Sequence, residues 1–155
     1  MFRDLTTVFK DAECLHFLSE WMYKEYKDKG ITKIIGIESR GFIMGPILAT
    51  KLNAGFVPIR KNGKLPAETI KEFYNKEYGT DTMEIHKDAL NENDIVLIHD
   101  DLLATGGTMQ AAYNLVKKFN IKEIYMNFIL ELTALKGRET LNSEINDKIT
   151  SLIQY

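Results

Sequence analysis

The stretch from Leu97 to Thr108, LIHDDLLATGGT, constrains the fold of this chain more than any other. Ile95 to Ile98 is a continuous β-branched and apolar run without alternation, the pattern of a strand covered on both faces of a parallel sheet. Two carboxylates follow, then a turn of small residues, then Gly-Gly-Thr at the start of a helical pattern. Ligands of open α/β sheets bind beyond the carboxyl ends of such strands, and Asp100 and Asp101 fall there. Ionised carboxylates only accept hydrogen bonds, so a vicinal diol suits them. Ala104, Thr105, Gly106, Gly107 and Thr108 form a turn whose glycines allow close approach or positive φ, and the helix after it presents orphan amides and a positive dipole end to an anion. Thr105 or Thr108 can add a hydroxyl donor or cap the helix. Acids and amides at this spacing suit a pentose phosphate.

Each half alone has an ordinary reading. Adjacent acids after a strand also make metal sites or solvated turns, and Gly-Gly before a helix is often only a turn. Their conjunction is what carries the argument. The chain contains no GxxxxGK[ST] and no GxGxxG, which sets aside a P-loop NTPase and a dinucleotide-binding domain.

A chain of 155 residues, 45% of them apolar, is expected to form one domain, residues 1–155, around a single core. A net charge of −2 gives no general basic footprint, so nucleic acid is not an expected partner. The one cysteine, Cys14, excludes an internal disulfide, fits a reducing compartment and is expected to be buried. No stretch reaches the roughly 20 apolar residues of a membrane span, and the N-terminus lacks the apolar core of a signal peptide, so a cytoplasmic location is expected.

Helices and strands alternate along the chain, the signature of an α/β fold. Asp11 to about Lys29 reads as an amphipathic helix, capped by Asp11 and ended by Gly30. Ile34 to Ile37 is a buried strand. Gly41 to Asn53 is a helix apolar nearly all round, in which Pro46 is tolerable only near the first turn. Phe56 to Ile59 is a short strand, and Pro58 suggests an edge or irregular position. Thr69 to Tyr74 and Asp81 to His86 read as hairpin arms with Asn75 to Thr80 at the tip. Met109, Ala112, Val116 and Phe119 line one face of a helix, and Glu123 to Leu130 is another strand. Arg40, between Ser39 and Gly41, follows a strand and opens a helix, as an anion site would. Arg60, Lys61 and Lys64 cluster after another strand, where a solvated basic turn is the ordinary reading. His16, His86 and His99 lack metal spacing.

The segment DDLLATGGT resembles the phosphoribosyl pyrophosphate motif of the type I phosphoribosyltransferases, and the rest of the chain is similar to the adenine branch of that family almost end to end. The resemblance runs through Phe2-Arg3-Asp4, GIESRGFIMGP from Gly36 to Pro46, IRKNGKLP from Ile59 to Pro66, EYG from Glu77 to Gly79, and LELTALKGRETL from Leu130 to Leu141. It implies the type I phosphoribosyltransferase fold: a central, mostly parallel twisted sheet flanked by helices, with a flexible hairpin loop and a reduced N-terminal hood. It implies an enzyme that joins the 5-phosphoribosyl group of phosphoribosyl pyrophosphate to N9 of adenine, giving AMP and pyrophosphate, with Mg²⁺ carried by substrate oxygens, in a homodimer.

The same resemblance implies roles for single residues. Asp100 and Asp101 serve the ribose hydroxyls, and Ala104 to Thr108 the 5-phosphate. Arg40 lies in the pyrophosphate loop, Arg60 and Lys61 bind pyrophosphate or line a dimer-shared site, and Lys64 adds charge beside them for the substrate. Glu77 manages the N7 proton of adenine, Tyr78 helps close the loop, and Phe2 and Arg3 contact the base. Two departures stand out: His99 replaces a usually aliphatic residue, and the family normally carries a further segment ahead of Phe-Arg-Asp. His99 reads as a core or water-bonded histidine, with tuning of the acidic pair as the alternative. Two other functional readings remain: a relative acting on 6-oxopurines, which SRGF and RKxGKLP disfavour, and a non-catalytic nucleotide sensor of the same fold.

Overall fold

A computed structural model describes residues 5–76, 79–141 and 143–155. Phe2, Arg3, Glu77 and Tyr78 lie outside the described residues. After a short helix α1 (Thr6–Phe9), α2 (Ala12–Tyr26) begins where the Asp11 carboxylate accepts the Cys14 amide at 2.9 Å. This cap satisfies one orphan donor of the first turn. Cys14 is exposed rather than buried: it lines an open apolar hollow with Phe17, Leu18, Ile129, Leu152 and Ile153.

The chain continues through β1 (Lys33–Ile37), α3 (Gly41–Leu52), β2 (Gly55–Lys61), β3 (Thr69–Lys76), β4 (Gly79–His86), β5 (Ile95–Leu103), α4 (Gly107–Lys117), β6 (Glu123–Glu131), α5 (Gly137–Thr140) and β7 (Ile149–Gln154). Among the described residues the strands form one sheet in the order β3-β4-β2-β1-β5-β6-β7. The β2-β1-β5-β6-β7 portion is parallel; the β3-β4 hairpin joins antiparallel through Arg60↔Glu84 and Lys61↔Met83. Strand β7 carries no strong periodic signal and was not expected from the sequence.

One apolar cluster, with Ile34, Met44, Leu48 and Leu97, lies under α2 and α3. The other, with Ile35, Ile98, Ala112 and Val116, lies under α4. Burial on both faces explains the unalternating apolar runs of β1 and β5. The helices therefore cover opposite faces of the sheet, and the chain reverses its order of strands between β1 and β5. Carboxyl ends diverge at such a switch point and leave a crevice.

Three expectations about these elements change. Pro46 sits past the first turn of α3, where it removes the bond its amide would have made to the Phe42 carbonyl; its own carbonyl accepts the Thr50 hydroxyl at 3.0 Å. Strand β2 is interior, yet its Pro58 is tolerated: Gly55 to Ile59 pairs only with β1, and β4 joins further on, at Arg60 and Lys61. The hairpin arms extend further than expected, to Lys76 paired with Gly79. No helix among the described residues is long and apolar enough to cross a membrane.

Candidate active site at the switch point

Strand β5 runs on past the pairing partner β1. The β1 register ends at Gly36↔His99, whereas β6 stays paired with β5 through Leu103↔Glu131. Asp100 and Asp101 therefore project from strand, not loop, at the lip of the crevice. Strand alternation sends the two side chains to opposite faces, with Asp101 on the side of α3. There the Asp101 Oδ2 lies 2.6 Å from Arg40 Nε, off the axis of a straight hydrogen bond, and Asp101 is 2% exposed. Arg40 is the residue before the first turn of α3, so β1, α3 and β5 meet in this ion pair.

Asp100 accepts the Asp101 amide through its own Oδ1 at 2.9 Å. Burial, then the neighbouring Asp101 charge, push its carboxyl up to about 8, only partly opposed by that amide and by Arg40. Two clustered acids sharing one guanidinium thus favour the protonated form of Asp100. The sign of the stability effect follows. A carboxyl raised in the folded state is best accommodated below its ordinary value of 3.8, and the fold loses stability as pH rises from there to about 8. Asp100→Asn mimics the protonated form. It is expected to raise the thermal midpoint at pH 8 by about 3 °C or more and to leave it unchanged at pH 4; equal midpoints at both pH values would refute the shift.

The turn after β5 forms a cup lined by Asp100, Leu102, Leu103, Ala104, Thr105, Gly106, Gly107, Thr108 and Met109. Gly106, at φ +85°, is the residue before α4, and the first amide to bond back along the helix is that of Gln110, to the Gly106 carbonyl at 2.9 Å. The amides of Gly107, Thr108 and Met109 are therefore the open end of α4. Neither Thr105 nor Thr108 caps the helix, so both hydroxyls stay available to a ligand. A second hollow, about 260 Å³, is lined by Glu38, Ser39, Arg40, Asp100, Asp101 and Leu102. Asp100 and Leu102 border both.

Arg60, Lys61 and Lys64 stand at the far rim. Arg60 donates through Nε to Glu38 at 3.2 Å and through Nη1 to the Lys64 carbonyl at 3.2 Å, while the Lys61 and Lys64 side chains are exposed. Two acids that sequence reasoning missed hold this rim. Glu38 accepts the Lys61 amide at 3.0 Å; burial works against its charge, yet the Lys61 amide and Arg60 hold its carboxyl below the usual range. Glu84, 2% exposed, accepts the Lys64 and Leu65 amides at 2.9 and 3.0 Å; burial again opposes the charge, and backbone amides outweigh it. An acid amid the apolar Met83 and Ile85 of a strand was the signal available for Glu84.

His99 is a core histidine. It is fully buried, its Nδ1 is 2.9 Å from Asn127 Oδ1, and burial, partly opposed by Asn127, lowers its pKa to about 4. It is neutral near pH 7 and brings no charge to the acidic pair. Among the described residues no group of three or more His, Cys, Asp or Glu could hold a metal. Two carboxylates beside an open hollow fit Mg²⁺, which keeps several waters and takes few protein ligands.

Known proteins resemble this chain in sequence and in fold. Residues 11–154 match the phosphoribosyl transferase domain family. A protein of Bacteroides fragilis named adenine phosphoribosyltransferase is 65% identical over 153 residues, 99% of this chain and 86% of that one. The crystal structure of adenine phosphoribosyltransferase from Rhodothermus marinus superposes with a TM-score of 0.93 at 45% identity, covering 100% of this chain and 87% of that one. The Giardia lamblia enzyme complexed with 9-deazaadenine gives 0.94 at 42% identity, covering 99% and 86%. With the acidic pair, the amide cup and the basic rim converging at the switch point of this sheet, the chain belongs to the phosphoribosyl transferase family, in its adenine phosphoribosyltransferase branch.

Proposed function

We propose that this chain transfers the 5-phosphoribosyl group of phosphoribosyl pyrophosphate to N9 of adenine, releasing AMP and pyrophosphate. The observation that carries the assignment of parts is Asp100, which borders both the amide cup and the larger hollow. A pentose spanning that border would put its 5-phosphate on the amides of Gly107 to Met109 and its ring hydroxyls on Asp100 and Asp101. The leaving pyrophosphate would then face Arg40, with Arg60, Lys61 and Lys64 at the rim.

Charge supplies the mechanism. As pyrophosphate departs, positive charge grows on the sugar ring and negative charge on the leaving group. The acidic pair favours the first, and the guanidinium and ammonium groups the second. Mg²⁺ carried on the substrate's oxygens would add to the neutralisation of the leaving group. Ribose binding draws hydroxyl donors and cationic charge toward Asp100, which favours its ionised form when that form is needed. The family resemblance adds Glu77 at the N7 proton of adenine, Tyr78 in loop closure, and Phe2 and Arg3 against the base. Excluding water from the closed site protects the sugar cation from hydrolysis.

A homodimer in the cytoplasm completes the reading. Ile47, half-exposed on α3, supports the first, and sedimentation at the mass of one chain would count against it. None of the proteins compared favours the 6-oxopurine or sensor alternatives. The deciding experiment mixes the protein with Mg²⁺, phosphoribosyl pyrophosphate and each purine base in turn. AMP from adenine alone is expected; nucleotide from hypoxanthine or guanine, or tight AMP binding without turnover, would overturn the proposal. In the same assay Glu77→Ala is expected to slow AMP formation far more than it weakens phosphoribosyl pyrophosphate binding, and an unchanged rate would remove Glu77 from the chemistry.

A further inference from the structure

The outer wall of the amide cup is bare backbone. A Cβ on Gly106 would lie 2.4 Å from the Gly137 carbonyl oxygen, and a Cβ on Gly137 would lie 2.3 Å from the Ala104 carbonyl oxygen. Two glycines thus let the turn before α4 and the start of α5 press together with no side chain between them. Any shift of Gly137 is passed directly to Gly106, and through it to the amides that open α4.

The residue that anchors this wall comes next in the chain. Arg138 forks onto Glu131 at the carboxyl end of β6: Nε lies 2.8 and 3.0 Å from its two oxygens, and Nη2 lies 2.9 Å from Oε2. The same guanidinium donates to the Ile149 carbonyl at 3.2 Å, and Ser151 donates to Glu131 at 2.7 Å, so β7 is part of the clamp. Glu131 is 5% exposed. A planar fork on a buried carboxylate fixes direction as well as distance, which a lysine does not reproduce. The reaction described above uses neither residue.

We propose that Arg138, held by Glu131, is a positioning residue for the 5-phosphate: it sets the place of Gly137 and so the aim of the Gly106 to Met109 amides. The inference rests on the reading of Ala104 to Thr108 as the 5-phosphate cup. It concerns one end of the substrate only, so the pyrophosphate end should not feel it.

Calorimetric titration of ribose 5-phosphate and of pyrophosphate with Mg²⁺, on the wild type, Arg138→Lys and Gly137→Ala, separates the possibilities. Both variants are expected to bind ribose 5-phosphate about tenfold or more weakly, since misplacements near 1 Å have effects up to a hundredfold, while pyrophosphate binding stays within about twofold. The double variant should lose clearly less than the sum of the two single losses, because both act through one contact. Gly137→Ala tests the contact through which Arg138 acts, and Glu131→Gln, with the same selective loss of ribose 5-phosphate binding expected, tests the anchor itself should Arg138→Lys not fold. Ribose 5-phosphate affinity unchanged in any folded variant overturns the inference. Equal weakening of both ligands assigns Arg138 a general structural role and also overturns it. If the wild type itself does not bind ribose 5-phosphate, the cup reading falls and this inference with it.

Discussion

Replacing Asp100 and Asp101 together by Asn is expected to lower kcat by about a thousandfold or more, while either single substitution has a much smaller effect. Removing one preorganised electrostatic group from a buried site lowers kcat by roughly a hundredfold to a thousandfold, and here two such groups are coupled. Asp100 is held protonated by burial and by the charge of Asp101 beside it. When Asp101 becomes Asn, that repulsion disappears and Asp100 ionises more readily, with Arg40 left free to pair with it. When Asp100 becomes Asn, Asp101 keeps its 2.6 Å contact with Arg40 and its charge. Each single variant therefore retains one negative charge under the developing sugar cation, and only the double variant has none. Groups that act as a unit give effects that do not add. Steady-state kcat at saturating adenine and phosphoribosyl pyrophosphate measures it; a double variant within tenfold of the wild type would show that the pair does not carry the transition-state charge.

Gly106→Ala is expected to weaken ribose 5-phosphate binding and kcat/KM by about a hundredfold. Two costs combine at this position. The backbone stands at φ +85°, where an L side chain loses about 1–2 kcal/mol. The added methyl would also meet the Gly137 carbonyl at 2.4 Å and the Thr140 Cβ at 3.0 Å, and the nearer of these is backbone that cannot rotate away. The turn must move, and the open amides of α4 move with it. Gly30→Ala separates the two costs. Gly30 has φ +68° but only an ordinary 3.4 Å contact, to Ile95, and it is remote from the site. That variant should lose about 1 kcal/mol of stability with kinetics unchanged. If Gly106→Ala behaves like Gly30→Ala, the cup does not hold the phosphate through its backbone.

The contrast between these positions explains which parts of the site the sequence made legible. Everything from Ile95 to Met109 is local. A buried strand, two acids, a glycine turn and a helix start occupy consecutive residues, and neighbouring residues stay near each other in any fold. Arg40 was legible for the same reason, because a strand end, a glycine and a helix follow one another around it. The supporting acids were not. Glu38 meets Arg60 and Lys61 across more than twenty residues of chain, and Glu84 meets Lys64 and Leu65 across about as many. The exposure of Cys14 is not legible because an apolar side chain in the first turn of a helix does not say whether the surface beside it is filled, and here it borders an open hollow. Strand β7 escaped notice because Thr150, Ser151 and Gln154 interrupt its apolar character, and only the paired edge of β6 draws it into the sheet.

By itself, the order of residues determined the chemical inventory and its local geometry: an α/β alternation, carboxylates at a strand end, amides at a helix start and a cluster of cations at the end of β2 and just beyond it. The tertiary structure decided how those parts face one another. Placing β1 beside β5 brought Arg40 onto Asp101, and crossing to β6 and β7 backed the cup with Gly137 and Arg138. The physical reason is range. Backbone propensity and capping act within a few residues and can be read along the chain, whereas ion pairs, burial and close packing depend on which distant segments the sheet brings together.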